Sequence, residues 1–149
     1  MTYKHLLIVI LFLTFKMATA QNLSIYKSDA NVEVTTKGLE ELIKSYDLTY
    51  FETVAHESIA KTRGVDISPT KVILFEDPDL TTELITCQQT TALDLPLKML
   101  VWEENGDVYI GFFDPKDMQK RYMLNGCGDT IEKMTRLMIR LVNDLLRTQ

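Results

Sequence analysis

The spacing of apolar residues predicts two amphipathic helices. Leu39, Leu42 and Ile43 recur at steps of three and four, which is typical of one buried helix face. A longer series with the same spacing closes the chain and predicts a helix of about five turns, opened by Asp129 and Glu132 as a variant capping box. The apolar positions of this second series are Ile131, Met134, Leu137, Met138, Leu141, Val142, Leu145 and Leu146.

Apolar runs between these helices predict strands. Residues 48–55 are rich in β-branched and aromatic side chains, and residues 71–75 are almost entirely apolar, as in a central strand. Residues 31–35 suit a short edge strand, and residues 56–63 suit a short helix with Ile59 facing inward. Together with the two amphipathic helices, these elements indicate an α+β domain.

Two Asp-Pro dipeptides predict the starts of further helices. Asp77-Pro78 and Asp114-Pro115 each place a capping carboxylate before a proline, which is tolerated at the first helical position. The chain between them, from Pro96 to Phe113, has the pattern of a hairpin.

Asn105-Gly106 is a strong hairpin signal, because both turn residues of a type I′ turn need a positive φ. A two-residue turn at this step fixes the pairing of the strands on either side. The expected pairs are Glu104 with Asp107, Trp102 with Tyr109, Leu100 with Gly111 and Lys98 with Phe113.

This register sorts the hairpin into two faces, because side chains alternate along a strand. One face is wholly apolar and is expected to meet the final helix; it consists of Leu97, Met99, Val101, Val108, Ile110 and Phe112. The other face contains Lys98, Leu100, Trp102, Tyr109, Gly111 and Phe113. Helices could cover this second face as well. Alternatively, Lys98, Trp102, Tyr109 and Phe113 form a ligand groove or a dimer interface.

Residues 1–20 have the pattern of a signal peptide: a charged start, about ten apolar residues and an Ala-Thr-Ala exit. Residues 21–30 are polar and are expected to be a flexible leader, and residues 31–149 are expected to form a single domain. We therefore expect an exported protein, periplasmic or secreted, with no membrane span after cleavage.

Charge restricts the class of partner. The chain has 16 basic and 21 acidic side chains, and loss of Lys4 and Lys16 with the signal peptide would bring the net charge from −5 to −7. An acidic chain without a basic cluster is poorly suited to nucleic acid. A small molecule, a protein partner or a second copy of the chain are the remaining options.

Cys87 and Cys127 are the only cysteines, and an even count in an exported protein favours a disulfide. Two free buried thiols, or a reactive or metal-binding pair, are the alternatives. His56 is the one histidine after residue 20, and it is a structural residue or a general base. No nucleotide-binding, zinc-protease or serine-hydrolase motif accompanies it, so we assign no catalytic residue, metal or cofactor.

Three blocks of the chain resemble the domain-of-unknown-function 302 family. They are PTKVILF at 69–75, LDLPLKMLVWE at 93–103 and Asp114-Pro115, in that order. The resemblance runs from about residue 32 to residue 145. It implies a curved antiparallel sheet packed by helices and closed by a long C-terminal helix, similar to the TATA-binding-protein-like architecture. It implies no particular activity, and DNA binding does not follow from the fold.

From these patterns we expect a ligand-binding or protein-interaction module, with Lys98, Trp102, Tyr109, Phe113 and His56 as candidate binding residues. The alternative is a thiol- or metal-linked periplasmic factor that uses Cys87, Cys127 and His56. An enzyme would need His56 in a cavity together with at least one carboxylate.

Overall fold

The computed structural model describes residues 23–149. Their centre is a five-stranded sheet in which every neighbouring pair is antiparallel, with strand order β1-β5-β4-β3-β2. The strands are β1 (Leu23–Ser28), β2 (Thr49–Ala55), β3 (Thr70–Glu76), β4 (Leu97–Glu104) and β5 (Asp107–Phe113).

Five α-helices connect and cover the strands. They are α1 (Val32–Ser45), α2 (His56–Lys61), α3 (Pro78–Cys87), α4 (Lys116–Arg121) and α5 (Gly128–Leu146), with a short 3₁₀ helix at Gln89–Leu93. The fold is therefore α+β with a long C-terminal helix, as the sequence predicts.

The main core lies between one face of the sheet and helices α1 and α5. Leu39 and Ile43 of α1, together with Leu141 and Val142 of α5, are fully buried there. The sheet contributes the apolar hairpin face predicted above, every member of which is buried: Leu97, Met99, Val101, Val108, Ile110 and Phe112. The prediction that the final helix covers this face is confirmed.

The hairpin has the predicted register. Asn105 and Gly106 have φ angles of 55° and 85°, and they connect the strands as a two-residue turn. Three of the four predicted pairs, Glu104–Asp107, Trp102–Tyr109 and Leu100–Gly111, are present, and the β4–β5 pairing ends before the fourth, Lys98–Phe113. The Asp77 carboxylate also accepts hydrogen bonds from the backbone N–H groups of Asp79 and Leu80, so the predicted start of α3 is confirmed.

Two expectations near the amino terminus are wrong. The expected flexible leader, residues 21–30, contains strand β1, whose pairing with β5 at the sheet edge is not visible in its own sequence. The expected edge strand at residues 31–35 is the start of α1, where Asn31 caps the helix by accepting from the Val34 N–H group. Its β-branched residues favour a strand locally, but their burial follows helical spacing. The buried positions of α1 are Val32, Thr35, Thr36, Leu39 and Ile43.

Two finer predictions also need correction. Helix α5 begins at Gly128, and its N-cap Cys127 makes no side-chain capping bond, so Asp129 lies inside the first turn and is not a cap. In α2, Ile59 is 53 % exposed and does not face inward. The predicted signal peptide, residues 1–20, lies outside the described residues.

Candidate functional site

The candidate binding surface is the sheet face opposite α1 and α5. Cross-strand partners share a face, so the register identifies its members strand by strand. We call this surface the open face. It consists of Leu23, Ile25 and Lys27 from β1, Asp107, Tyr109, Gly111 and Phe113 from β5, Lys98, Leu100, Trp102 and Glu104 from β4, Thr70, Val72, Leu74 and Glu76 from β3, and Thr49, Glu52 and Val54 from β2.

Within residues 23–149, neither hydrophobic cluster includes a residue of the open face. Ile25 and Phe113 are 52 % and 55 % exposed, and Trp102 and Tyr109 are half-buried. The expectation that helices cover this face is therefore wrong for residues 23–149. The structure therefore leaves an apolar, partly aromatic sheet surface open.

Trp102 fills the gap at Gly111. A Cβ atom on Gly111 would lie 2.9 Å from Cζ3 of Trp102 and 3.5 Å from Cδ1 of Leu23, so the indole lies directly over the glycine. The ring also contacts its cross-strand neighbour Tyr109, with the centroids 5.4 Å apart. The gap that the sequence places at Gly111 is thus not a ligand pocket but the seat of the tryptophan.

Lys98 stands at one end of the open face. Its Nζ donates to the backbone carbonyl oxygens of Asp94 and Pro96, at 2.9 and 2.8 Å. Partial burial lowers the pKa of the Lys98 ammonium, and the nearby Asp94 charge opposes that shift. The ammonium is directed along the strand toward the preceding turn, so its aliphatic stem contributes to the face.

The opposite end of the open face contains one ion pair beside the exposed carboxylate of Glu104. Lys27 and Asp107 form an ion pair of 2.8 Å. Its hydrogen bond and charge raise the pKa of Lys27 and lower the pKa of Asp107. This end is therefore polar and charged.

A cavity of about 350 Å³ adjoins the Lys98 end. Lys98 and Phe113 belong both to this cavity and to the open face. Across it, Arg121 of α4 pairs with Asp94 at 2.5 Å. The remaining lining residues are Leu93, Leu97, Asp114, Pro115, Asp117, Met118 and Met138.

His56 does not join the other candidates. It is the exposed first residue of α2, beyond the end of edge strand β2, and it lines neither the cavity beside Lys98 nor the two others found at the helices. The structure thus brings Lys98, Trp102, Tyr109 and Phe113 together and leaves His56 apart. The condition set above for an enzyme, a cavity containing His56, is not met by these cavities.

The cysteines are joined to each other. Cys87 at the end of α3 and Cys127 before α5 form a disulfide with their Cα atoms 6.5 Å apart. Among residues 23–149 there is no group of three His, Cys, Asp or Glu side chains arranged to hold a metal ion. The arrangement does not favour the thiol- or metal-linked alternative.

Sequence reasoning missed part of the surface. Ile25 and Leu23 lie in the segment expected to be a leader, and Val54, Val72 and Leu74 lie in strands whose neighbours were not known. Alternation within β2 and β3 groups the last three residues on one face of their strands. Only the register of these strands with the hairpin shows that this is the open face.

Comparison with known proteins identifies relatives for most of the chain. Residues 25–141 match the family described as "Domain of unknown function DUF302". The crystal structure of an uncharacterized conserved DUF302 protein from Bacillus stearothermophilus superposes with a TM-score of 0.74 at 16 % identity, over 86 % of this chain and 98 % of that chain. That likeness shows a common fold.

Two curated relatives carry a functional name. The fluoride-specific ion channels FluC 1 of Brucella suis biovar 1 (strain 1330) and Brucella abortus biovar 1 (strain 9-941) are each 32 % identical over 108 residues, which is 72 % of this chain. The match covers 42 % and 40 % of those proteins, so the chain spans about two fifths of their length. Within residues 23–149, no helix has the length and apolarity that a bilayer crossing requires.

Proposed function

Since the chain belongs to the DUF302 family, whose name states no activity, we infer its function from its surface and propose that it is a protein-interaction module that binds through the open face. The observation that supports this proposal is an apolar, aromatic sheet face on which neither α1 nor α5 packs. Contiguous apolar surface of this kind marks interaction sites in soluble proteins.

The distribution of residue types on the open face matches that of protein interfaces. Trp102, Tyr109 and Leu100 lie toward its middle, while Lys98 and Glu104 lie at its ends. Interface centres are enriched in aromatic residues and depleted of charge, and their rims are polar. The half-buried Trp102, held between Gly111 and Tyr109, is a rigid anchor of the type that dominates binding energy.

A protein partner suits this surface better than a small molecule. Small-molecule sites are concave, whereas the open face is a sheet whose one gap is filled by Trp102. In the adjoining cavity, Lys98 donates to two backbone carbonyls and Arg121 pairs with Asp94, so the structure already supplies partners to both cations.

The Brucella relatives support a second candidate, an accessory domain for a fluoride-specific ion channel. There the matched segment shares one polypeptide with the remainder of a protein of that name. In this candidate the open face would dock on the channel. The test mixes this chain with a Brucella relative from which the matched segment has been deleted and follows both proteins by size-exclusion chromatography. Co-elution that the Ile25→Lys substitution abolishes supports the candidate. Separate elution contradicts it.

We also propose that the protein is exported from the cytoplasm. The charged start, apolar run and Ala-Thr-Ala exit support it, and so does the Cys87–Cys127 disulfide, which is typical of oxidising compartments. Expression of the full chain in a bacterium with a periplasm tests it by intact mass. Periplasmic protein that begins at Gln21 is the expected result, and cytoplasmic protein that retains Met1 or Thr2 contradicts it.

Photo-crosslinking in the native cell tests the interaction surface itself. A photoreactive phenylalanine replaces Ile25 on the open face or, as a matched control, Val34 on α1; the two side chains are 52 % and 54 % exposed. We expect a discrete protein adduct from position 25 and none from position 34. Equal or absent crosslinking at the two positions contradicts an interaction module that uses this face.

A further inference from the structure

We propose that the open face binds a second copy of this chain, with a two-fold axis running across the strands. The inference rests on the proposed function and names its partner. It follows from how residues line up across the sheet rather than from the apolar character of the face alone.

One row of residues crosses all five strands without a charge. The cross-strand pairs connect Ile25 to Gly111, Gly111 to Leu100, Leu100 to Val72 and Val72 to Val54. We call this the central row. The row on one side of it contains Lys27, and the row on the other side contains Lys98 and Glu52. The central row is thus the uncharged line through the middle of the open face.

A two-fold interface requires such a line. Residues on the axis meet their own copies, so a charge there would face a like charge. An axis along the central row places Ile25, Leu100, Val72 and Val54 against themselves. An axis along any one strand would instead stack a charge on its own copy: Lys27 of β1, Asp107 of β5, Lys98 and Glu104 of β4, Glu76 of β3 or Glu52 of β2. Electrostatic repulsion therefore favours the axis across the strands.

Size and shape agree with a dimer. Five strands about 4.8 Å apart, with about six residues rising roughly 3.4 Å each, outline a face of about 24 by 20 Å. This outline is about 480 Å² per copy, or about 960 Å² for two copies. The accessible area of corrugated side chains exceeds the flat outline, so two such faces reach the roughly 1,000 Å² in total that a specific interface buries. Two copies of one sheet also have the same twist, as aligned face-to-face packing requires.

Charge substitutions on the axis test the geometry. Ile25→Lys and Ile25→Glu each place a charge against its own copy, so each variant is expected to be monomeric by native mass spectrometry at micromolar concentration. The wild type and the control Val34→Lys, on the outer side of α1, are expected to be dimeric. Mixing Ile25→Lys with Ile25→Glu should restore a dimer, because the axis then pairs opposite charges.

Each other outcome is decisive. A monomeric wild type overturns the proposal that the partner is a second copy of the chain. The interaction module would still be supported in that case by a photo-adduct from position 25 whose mass differs from twice that of the chain. A dimeric wild type whose mixed Ile25 variants stay monomeric overturns the axis along the central row. Circular dichroism of each variant confirms that loss of the dimer is not loss of the fold.

Discussion

At the scale of single residues, the clearest coupling joins Gly111 to Trp102. The glycine has no side chain at the point where the indole lies, so any Cβ there must displace the ring or the strand. Trp102 is the only tryptophan, so the emission of the protein reports on the surroundings of this one ring.

Substitution of Gly111 by alanine is expected to push the Trp102 ring into solvent. The added Cβ would lie 2.9 Å from Cζ3, closer than real contacts allow. We predict a red-shifted emission maximum for Gly111→Ala and an unchanged one for the control Gly128→Ala, where a Cβ meets nothing within 4 Å. An unshifted spectrum for Gly111→Ala contradicts the packing of Trp102 described above.

The Lys27–Asp107 pair predicts a dependence of stability on acid. Its hydrogen bond and charge lower the pKa of Asp107 below the ordinary 3.8 in the folded state. At a pH above the ordinary pKa of an aspartate, the pair therefore stabilises the folded state. This stabilisation is lost as the pH falls through the lowered pKa of Asp107. We expect Lys27→Met to have a lower urea midpoint than the wild type at pH 7 and the same midpoint in strong acid. A constant difference across the titration would contradict this linkage.

At the scale of elements, α1 and α5 approach closely at Gly38. A Cβ there would lie 2.5 Å from Cδ1 of Leu145, which is 3 % exposed and has little room to move. The glycine thus lets two helices pack at the expense of helix propensity.

A double-mutant cycle tests this contact. Alanine gains about 1 kcal/mol of helix propensity over glycine, but overpacking a core costs about 1–3 kcal/mol. Gly38→Ala is therefore expected to destabilise the wild type and to stabilise the Leu145→Ala variant, measured by urea unfolding. Stabilisation in both backgrounds would show that the helices do not depend on the missing side chain.

The disulfide joins α3 to the start of α5 across 40 residues. Closing such a loop stabilises by about 4 kcal/mol in the chain-entropy model. We expect Cys87→Ser with Cys127→Ser to lower the free energy of unfolding by about that amount, and reduction of the wild type to have a similar effect. Thiol titration of the native protein should find no free thiol; two titratable thiols would show that the pair is open in solution.

Sequence patterns predicted the elements whose burial matches their local period. Helix α5, the hairpin at Asn105-Gly106 and the cap at Asp77 are of this kind, because each depends on neighbours along the chain. Strand β1 was missed because its partner β5 lies far away in sequence. The prediction of a strand at the start of α1 was wrong because its β-branched residues favour a strand locally, whereas their burial against the core follows helical spacing.

The candidate site was predictable only in part. Alternation along the two hairpin strands correctly grouped Lys98, Trp102, Tyr109 and Phe113 on one face. Whether helices cover that face depends on how α1 and α5 distribute around the sheet, which no local pattern contains. His56 could not be placed, since its distance from the hairpin depends on strand order.

At the scale of the whole molecule, both long helices pack on one side of the sheet, and within residues 23–149 no helix of the hydrophobic clusters packs on the other side. This asymmetry connects the fold to the proposed function. A layered domain usually buries both faces of its sheet, and here the second layer would come from another chain.

The emission of Trp102 during dilution tests that claim most directly, because the single tryptophan lies within the open face. If a second copy covers the face, the wild-type maximum shifts to the red as dilution separates the copies. The Ile25→Lys variant should already be red-shifted and should not change. A wild-type maximum that is independent of concentration and equal to that of Ile25→Lys would contradict a covered open face.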